Sequence, residues 1–415
     1  MKVTLERAAL LNSLGHVHRV VERHNTIPIL SNVLLRAEGH ALLLKATDLD
    51  LELTERLEAD IGAHGAATVP AHILYEIVRE LPEGAQVSLE TDGEVSQLQL
   101  RSGRSRFNLQ SLPDSEFPDL AMGELGHAFN LAAGDLKWLI NKTQCAMSYD
   151  ETRDYRNGIF LHITDIDGNM MLRAVATDGH RLARVDILAP DGAIGMPGAI
   201  IPRKTVTEMQ KLIERYSRMD VRFEISKLEA RFAFSGGQVV LTTKLIDHVF
   251  PNYGHVIPSG NDKRLIVDRA RFAAAIRRVS KISPAYYAGD DEDNSDDEDN
   301  SGDEDNSGDD KMNQGAGGAM SQLCPIVIKL AMADAKLTLS VTNPVSGSAT
   351  EELDVDYDSS PIDISFNARY LLDIAEQRDS RTMLFKLSDR GAPILVQDRE
   401  GASALHVLMP MCFRC

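Results

Sequence analysis

The hydrophobic and polar positions of the chain repeat one pattern three times. Each repeat has a short alternating strand, an amphipathic helix with apolar residues three or four positions apart, and further strands that end in a Thr-Asp or Thr-Asn corner. The repeats begin at Met1, His127 and Lys263. The helical spacing is carried by Leu10, Leu14, Val17 and Val21 in the first repeat, by Leu136, Leu139, Ile140 and Thr143 in the second, and by Phe272, Ile276, Val279 and Ile282 in the third.

A second helix followed by strands completes each repeat. These helices are predicted within residues 67–81, 199–216 and 362–377, and the strands after them alternate apolar and polar residues. The pattern therefore predicts an α+β chain of three similar domains, each with two helices packed on antiparallel sheets. Clusters of Gly, Pro and Asp near the seams place the domains at 1–124, 125–259 and 260–415.

Charge is distributed unevenly along the chain. The formal net charge is −18, but the segment 290–310 holds 13 acidic residues and no basic residue, which leaves −5 for the rest. The DDEDNS repeats of this segment repel one another and offer nothing apolar to bury, so the insertion 288–320 is expected to be a solvated, disordered loop in the third domain. A tolerated repeat expansion and an acidic interaction segment are both open interpretations of it.

The sequence also indicates a compartment. No run of 18 or more apolar residues occurs, so no transmembrane helix is predicted. Charges and histidines interrupt the first 20 residues, which lack the apolar core of a signal peptide. Four cysteines in 415 residues do not form a disulfide framework. We therefore expect a cytoplasmic protein.

Signatures of catalysis do not occur in the sequence. There is no P-loop, no HExxH, no GxSxG and no GxGxxG ahead of a helix. Asp48, Asp50, Asp178 and Asp186 fall at strand ends of different repeats, where corner or capping roles are expected rather than metal binding. The CxxC spacing of Cys412 and Cys415 lacks a second ligand pair, so no metal site is expected there.

Basic residues concentrate on the predicted helices, whereas acidic residues concentrate in strands, turns and the insertion. If the helices share one surface, that surface is positive while the outside of the molecule is negative. The basic residues concerned are Arg19, Arg23, Arg79, Lys137, Lys142, Arg203, Lys204, Lys211, Arg215, Arg218, Arg271, Arg277, Arg278, Lys281, Arg369 and Arg378.

Several short motifs resemble those of a known family, the bacterial DNA polymerase III beta subunit or DNA sliding clamp. The resemblance covers the chain apart from the insertion. The motifs begin at Pro28 (PILSN), Ala46 (ATDLD), Arg101 (RSGRSRF), Phe117 (FPDL), Ala176 (ATDGHRLA), Ile201 (IPRK), Phe250 (FPNY) and Met409 (MPM).

The resemblance implies the DNA-clamp fold, in which a head-to-tail homodimer forms a ring of six similar domains with the helices lining a hole around double-stranded DNA. It implies a non-catalytic processivity subunit that needs no cofactor and holds the replicative polymerase on DNA by topology. Its DNA contacts are expected to be to phosphates and independent of base sequence. The implied partners are the DNA polymerase III alpha subunit, the clamp-loader delta subunit, and other polymerases and repair proteins that carry clamp-binding peptides.

By position in the matching motifs, the resemblance assigns three sets of site residues. The DNA-facing set is Arg23, His24, Arg153, Tyr155, Arg203 and Lys204. The partner-peptide pocket is Thr177, Gly179, His180, Arg181, Leu182, Pro251, Val256, Pro393, Val407, Met409, Pro410 and Met411. The dimer interface is Phe107, Leu109, Lys281 and Ile282.

Three features depart from the family pattern. His24 stands where arginine is frequent, Arg156 stands where an aliphatic pocket residue is common, and the tail 412–415 extends slightly beyond the usual end. Two alternative functions stay open. The first is a catalytic nucleotidyltransferase, against which the missing metal-binding carboxylates argue. The second is an acidic DNA-associated scaffold without clamp activity, defined by the insertion.

Overall fold

The computed structural model describes residues 1–22, 25–91, 97–120, 122–283 and 325–411. Arg23, His24, the insertion 288–320 and the tail 412–415 lie outside these ranges. The chain divides into two units. The first unit is Met1–Gly179 with Ala183–Pro251, and the second unit is His180–Leu182 with Asn252–Cys415.

Six α-helices occur in the described residues, and they pack in consecutive pairs. The pairs are α1 with α2, α3 with α4, and α5 with α6, so each repeat has two helices, as predicted. Their bounds are α1 Arg7–Val17, α2 Ala71–Glu80, α3 Ala133–Thr143, α4 Arg203–Arg215, α5 Arg269–Ser280 and α6 Ala368–Glu376.

The strands of the first unit follow the same order around each pair of helices: one strand, a helix, several strands, a helix and three strands. Their bounds are β1 Lys2–Glu6, β2 Asn32–Glu38, β3 Ala41–Thr47, β4 Leu51–Glu58, β5 Asp60–Ala63, β6 Gly65–Pro70, β7 Gln86–Thr91, β8 Gln97–Ser102, β9 Ser105–Gln110, β10 His127–Leu131, β11 Gly158–Ile166, β12 Asn169–Thr177, β13 Arg181–Leu188, β14 Ala199–Pro202, β15 Val221–Ile225, β16 Glu229–Phe234 and β17 Val239–Lys244. The first two residues of β13 belong to the second unit.

One sheet of the first unit contains strands from both the first and the second repeat. A separate sheet has the strand order β5-β1-β7-β8-β9, and β14, β11, β12 and β13 are neighbours in that order. The sheet with strands of both repeats has the order β10-β15-β16-β17-β4-β3-β2-β6, in which β17 of the second repeat pairs antiparallel with β4 of the first. This shared sheet explains why two sequence repeats form one unit, since backbone hydrogen bonds run across their boundary.

The second unit contains the third repeat. Its strands are β18 Lys263–Asp268, β19 Val327–Ala333, β20 Lys336–Asn343, β21 Gly347–Asp354, β22 Asp356–Tyr357, β23 Ile362–Asn367, β24 Thr382–Leu387, β25 Ile394–Gln397 and β26 Ala404–Leu408. They are ordered β26-β25-β24-β18-β22 and β21-β20-β19-β23. The ring of Phe272 on α5 meets Phe385 on β24 edge-on, with 5.4 Å between centroids, so helix and sheet share one apolar core.

The apolar helix positions predicted from the sequence form the cores. Leu10, Leu14 and Val17 on α1 are fully buried, and the corresponding positions of α3 and α5 are buried as well. Val21 is buried too, but it lies beyond the end of α1, so its place in the helical period is wrong. Ile282 is half-buried and packs on the core of the second unit from beyond the end of α5.

The segment that links the first two repeats is held by hydrogen bonds and ion pairs to charged side chains. The ammonium of Lys45 lies 2.9 Å from Glu52 and also pairs with Asp119, which keeps the pKa of the Asp119 carboxyl below its ordinary value. The backbone N–H of Leu120 donates to Glu52 at 3.0 Å, and that of Gly123 donates to Glu229 at 2.7 Å. The FPDL motif is therefore anchored to the first repeat, and Gly123, which follows it, is anchored to the second.

Candidate nucleic-acid interface and partner-binding residues

The IPRK motif places two cations at the first turn of α4. Strand β14 ends at Pro202, whose missing N–H costs nothing at the start of a helix, and Arg203 and Lys204 follow directly. Positive charge at a helix N-terminus is unfavourable by about 0.3–1 kcal/mol because the backbone N–H groups there already carry positive charge. Two cations at such a position indicate a purpose other than stability of the helix.

Arg203 keeps an uncompensated charge. Its Nη1 donates to the carbonyl oxygen of Ser148 at 2.8 Å, and its guanidinium lies 4.2 Å from the ring centroid of Tyr149. Tyr149 is 71% exposed. Among the residues that the structure describes, no carboxylate forms an ion pair with Arg203. A carbonyl and an aromatic ring orient the guanidinium without neutralising it, so it can still attract an anion.

The loop before β11 adds further DNA-facing candidates to Arg203. Asp150 caps a 3-10 turn over Glu151–Arg156 by accepting from the backbone N–H of Thr152 at 3.0 Å. The hydroxyl of Thr152 also donates to Asp150 at 2.6 Å, and this hydrogen bond, together with the backbone one, holds the pKa of the Asp150 carboxyl below its ordinary value. Arg153 is exposed, with Nε 3.8 Å from Asp150, and Tyr155 is half-buried. The loop is tied to α4 because the backbone N–H of Arg203 donates to Asn157 at 2.8 Å.

Lys204 differs from Arg203 because it is already paired. Its ammonium donates to Asp48 at 2.5 Å, to Glu22 at 2.8 Å and to the carbonyl oxygen of Val20 at 3.1 Å. Burial disfavours the charged amine, but the hydrogen bonds to the two carboxylates outweigh it and raise the pKa of Lys204. Arg23 and His24, the other predicted DNA-facing residues, follow Glu22 and lie outside the described residues.

The prediction of a basic helix surface is wrong at two positions. Lys142 is buried, with its ammonium 4.3 Å from the ring centroid of Trp138, and Arg378 is 1% exposed beyond the end of α6. Arg277 and Arg278 are exposed, but they pair with Glu376 and Glu351. The positive field of the helices is therefore weaker than the number of basic residues indicates.

His18, which lies near these helices, adds no positive charge to their surface. The ring of His18 stacks on Tyr75 with 4.0 Å between centroids, and its Nδ1 lies 2.7 Å from the carbonyl oxygen of Leu14. Burial lowers the pKa of His18 to about 4, and the nearby cations Arg19 and Lys211 act in the same direction. His18 is therefore neutral at physiological pH.

Aspartates at strand ends have mixed roles. Asp48 accepts from the backbone N–H groups of Asp50 and Leu51 at 2.9 and 2.7 Å, which confirms its predicted corner role. The corner prediction is wrong for Asp186, which lies inside β13 and pairs with Arg173 at 2.5 Å. No group of three or more His, Cys, Asp or Glu residues in the described ranges is arranged to hold a metal ion.

Several predicted pocket residues lie together in the second unit. The backbone N–H of Met409 donates to His180 at 2.9 Å, and that of Met411 donates to Ser365 at 2.7 Å. Met409 is 39% exposed, and Val256 is similarly exposed, so both offer apolar surface. Of the other second-unit members, Leu182 and Val407 are buried, and Pro393 and Pro410 are half-buried.

Arg181 is held firmly within the second unit. Its Nη1 donates to the Asp373 carboxylate at 2.5 Å, and its guanidinium lies 4.1 Å from the ring centroid of Tyr370, both on α6. Sequence reasoning missed these two partners, because neither lies in a motif that the resemblance matched. Arg181 thus orients its own part of the ATDGHRLA motif rather than projecting freely.

The first unit holds three of the predicted pocket residues, Thr177, Gly179 and Pro251. The backbone N–H of Gly179 donates to the hydroxyl of Thr177 at 3.2 Å, and the φ of Gly179 is +94°, a conformation that favours glycine. A Cβ at this position would meet Nη1 of Arg156 at 2.5 Å. Arg156, the departure from the family pattern, therefore lies directly against the ATDGHRLA corner.

Helices of the described residues include none long and apolar enough to cross a membrane.

Comparison with known proteins gives a consistent match along the chain. Family models of the DNA polymerase III beta subunit match at residues 1–121 for the N-terminal domain, 130–252 for the central domain and 323–412 for the C-terminal domain. A Beta sliding clamp from Caulobacter vibrioides is 44% identical over 411 residues, which covers 99% of this chain and 100% of the relative. One from Pseudomonas putida is 33% identical over 412 residues, with the same coverage.

Solved structures agree with the sequence relatives. A sliding clamp from Bartonella birtlesii, solved bound to griselimycin, has a TM-score of 0.86 and 46% identity and covers 100% of both chains. A sliding clamp from Pseudomonas aeruginosa, also solved with griselimycin, has a TM-score of 0.84 and 31% identity, again over 100% of both chains.

Proposed function

Because the chain belongs to the DNA polymerase III beta subunit family and serves as a DNA sliding clamp for the polymerase, we propose that its DNA contacts centre on Arg203. The chain is a non-catalytic processivity factor, so neither the nucleotidyltransferase nor the scaffold alternative is favoured. The observation that carries the proposal is the uncompensated guanidinium of Arg203 beside the exposed ring of Tyr149. Arg153, Tyr155, Lys204, Arg23 and His24 complete the proposed DNA-facing set.

The proposed contacts are to phosphates. Guanidinium and ammonium groups attract phosphate oxygens, which position a protein on the duplex and carry no base-sequence information. Contacts of this kind permit movement along the duplex because each phosphate is equivalent to the next. A ring held on DNA by topology needs only such weak contacts.

Retention on closed DNA tests this proposal. The purified protein, placed on nicked circular DNA by its clamp loader, is expected to stay bound through gel filtration and to leave when the circle is cut to a linear duplex. Equal retention on circular and linear DNA would contradict a sliding clamp.

We further propose that short apolar peptides of partner proteins bind the surface around Met409, with the polymerase III alpha subunit and the clamp-loader delta subunit as the partners. Support comes from the side chains of Met409 and Val256, which are exposed to water and which a bound apolar peptide would bury. Deletion of Met409–Met411 and the tail is expected to abolish binding of such peptides while the dimer persists. Polymerase retained in a pull-down by the deleted protein would place the site elsewhere.

The homodimer interface is proposed to join strand β9 of one protomer to the segment that follows α5 in the other. In the first unit β9 is the last strand of its sheet, and it carries Phe107, which is half-buried, and Leu109, which is buried within its own chain. In the second unit Lys281 is exposed and Ile282 is half-buried. An unpaired strand edge is a site where another chain can associate, and burial of the partly exposed Phe107 and Ile282 side chains would favour this pairing.

Truncating both sides of the proposed interface tests it. Phe107→Ala combined with Ile282→Ala removes apolar surface at a cost of about 2–5 kcal/mol per large side chain, so the double variant is expected to elute as a monomer at micromolar concentration. Leu100→Ala, which removes a fully buried side chain from the neighbouring strand β8, serves as a control for loss of apolar core. An unchanged dimer would contradict the assignment.

Domain bounds and compartment complete the proposal. We propose the division 1–124, 125–259 and 260–415, supported by the three helix pairs and by the separate family matches. A cytoplasmic location is proposed from the role in replication, and no cofactor is proposed.

A further inference from the structure

Lys204 uses all of its hydrogen-bonding capacity inside the protein. An ammonium group has three N–H donors, and here they meet three acceptors: the carboxylates of Asp48 and Glu22 and a backbone carbonyl oxygen. A phosphate can therefore bind Lys204 directly only by displacing one of these acceptors. The acceptor that is easiest to displace determines how a phosphate reaches this lysine.

Asp48 is fixed in place. Its second carboxylate oxygen accepts the two backbone N–H groups of the corner before β4, and its side chain is only 13% exposed. Displacing Asp48 from Lys204 would leave a partly buried carboxylate without its cation, which is costly. The pair of Lys204 and Asp48 is therefore a structural tie between the first and second repeats.

Glu22 is the exchangeable acceptor. Its side chain is 58% exposed, and within the described part of the chain its carboxylate has no hydrogen-bond or ion-pair partner other than Lys204. Exposed pairs of this kind are worth only about 0.2–1 kcal/mol. A phosphate oxygen has the same charge sign and acceptor character as the carboxylate that it would replace.

We propose that Glu22 competes with the DNA backbone for Lys204 and thereby sets how tightly the clamp holds DNA. The inference rests on the proposed DNA-facing role of the start of α4. With Glu22 in place, the free protein presents Arg203 as an open cation and Lys204 as a closed one. DNA that reaches Lys204 pushes the Glu22 carboxylate into water, and the net gain in affinity is small.

Removing the competitor tests the proposal. Affinity for a short fluorescent duplex is measured by anisotropy across a series of salt concentrations, with the full chain and with Glu22→Gln. We expect Glu22→Gln to bind about 1.4- to 5-fold more tightly at low salt, the factor that corresponds to ~0.2–1 kcal/mol. The slope of log K against log salt should steepen by about 0.9 for each additional phosphate that the protein neutralises.

Two further variants separate competition from a general change of charge. Glu90→Gln removes the same charge from an exposed pair in the same unit, where Lys2 lies 3.5 Å away, and is expected to change affinity less. Lys204→Gln can still donate to Asp48, and in its background the increase in affinity from Glu22→Gln should disappear. Thermal unfolding of each variant shows whether it is folded.

The outcomes are distinct. Any of three results would overturn the competition. Glu22→Gln increases affinity no more than Glu90→Gln does, the increase persists in the Lys204→Gln background, or Glu22→Gln weakens DNA binding. Loss of retention of the unaltered protein on nicked circular DNA would instead overturn the proposed function, whatever Glu22→Gln does.

Discussion

Arg181 and Arg203 have similar surroundings, but a carboxylate neutralises the charge of Arg181 and none neutralises that of Arg203 within the described residues. Each guanidinium lies close to 4 Å from a tyrosine ring, Tyr370 for Arg181 and Tyr149 for Arg203. The second partner differs, because Arg181 donates to the Asp373 carboxylate whereas Arg203 donates to a backbone carbonyl. A carboxylate neutralises the arginine and makes it part of the fold, while a carbonyl positions it and leaves its charge available.

Replacing Arg181 is expected to have the largest effect. Arg181→Ala leaves the Asp373 carboxylate without its cation and removes the interaction with the Tyr370 ring, so we expect the free energy of unfolding to fall by about 2 kcal/mol. Urea unfolding of the full chain measures this. Peptide binding at the proposed pocket should weaken as well, because Arg181 orients the motif beside Met409.

Asp373→Asn serves as the matched variant for Arg181. It keeps the shape and one acceptor oxygen, so the expected loss of stability is smaller than for Arg181→Ala. Equal stability of Arg181→Ala and the unaltered protein would show that the ion pair contributes nothing, and the contrast with Arg203 would then fail.

Replacing Arg203 is expected to reverse this pattern. Arg203→Ala should weaken DNA binding, with the slope of log K against log salt reduced by about 0.9 for each phosphate that is no longer neutralised, and should leave stability unchanged or slightly higher. A slight increase in stability is expected because a cation is removed from the N-terminus of α4. Anisotropy titration and urea unfolding measure the two effects.

The control for Arg203 is a cation elsewhere in the first unit. Lys227→Ala removes one exposed positive charge, 3.9 Å from Asp247 and far along the chain from the IPRK motif, and should hardly change the salt slope. If both variants changed DNA binding equally, Arg203 would contribute only to the overall charge.

The repeat and its helix pairs could be predicted from the sequence because the period of apolar residues is a local property. Leu10, Leu14 and Val17 show it within one helix, and each is fully buried. Apolar spacing alone does not mark a helix end, which is why it extends to Val21 although α1 ends at Val17. Arg378 lies beyond the end of α6 in the same way, and helical spacing does not predict its burial.

Charge pairing could not be predicted for a different reason. Glu22 and Asp48 are separated from Lys204 by 182 and 156 positions, and no local pattern connects residues so far apart. Arg181 and Asp373 are 192 positions apart. Motifs therefore identify the candidate site residues, whereas only the structure shows which of their cations stay available.

The smallest expected effect concerns the ring that positions Arg203. Tyr149 is exposed, and a cation–π interaction at an exposed site is worth about 0.5–1 kcal/mol. Tyr149→Leu removes the ring, frees the guanidinium to adopt other rotamers and should weaken DNA binding by about twofold to fivefold. Tyr149→Phe keeps the ring face and should bind as the unaltered protein does. Anisotropy titration at low salt measures both variants. A loss of affinity with Tyr149→Phe equal to that with Tyr149→Leu would show that the hydroxyl, rather than the ring face beside Arg203, is what DNA binding requires.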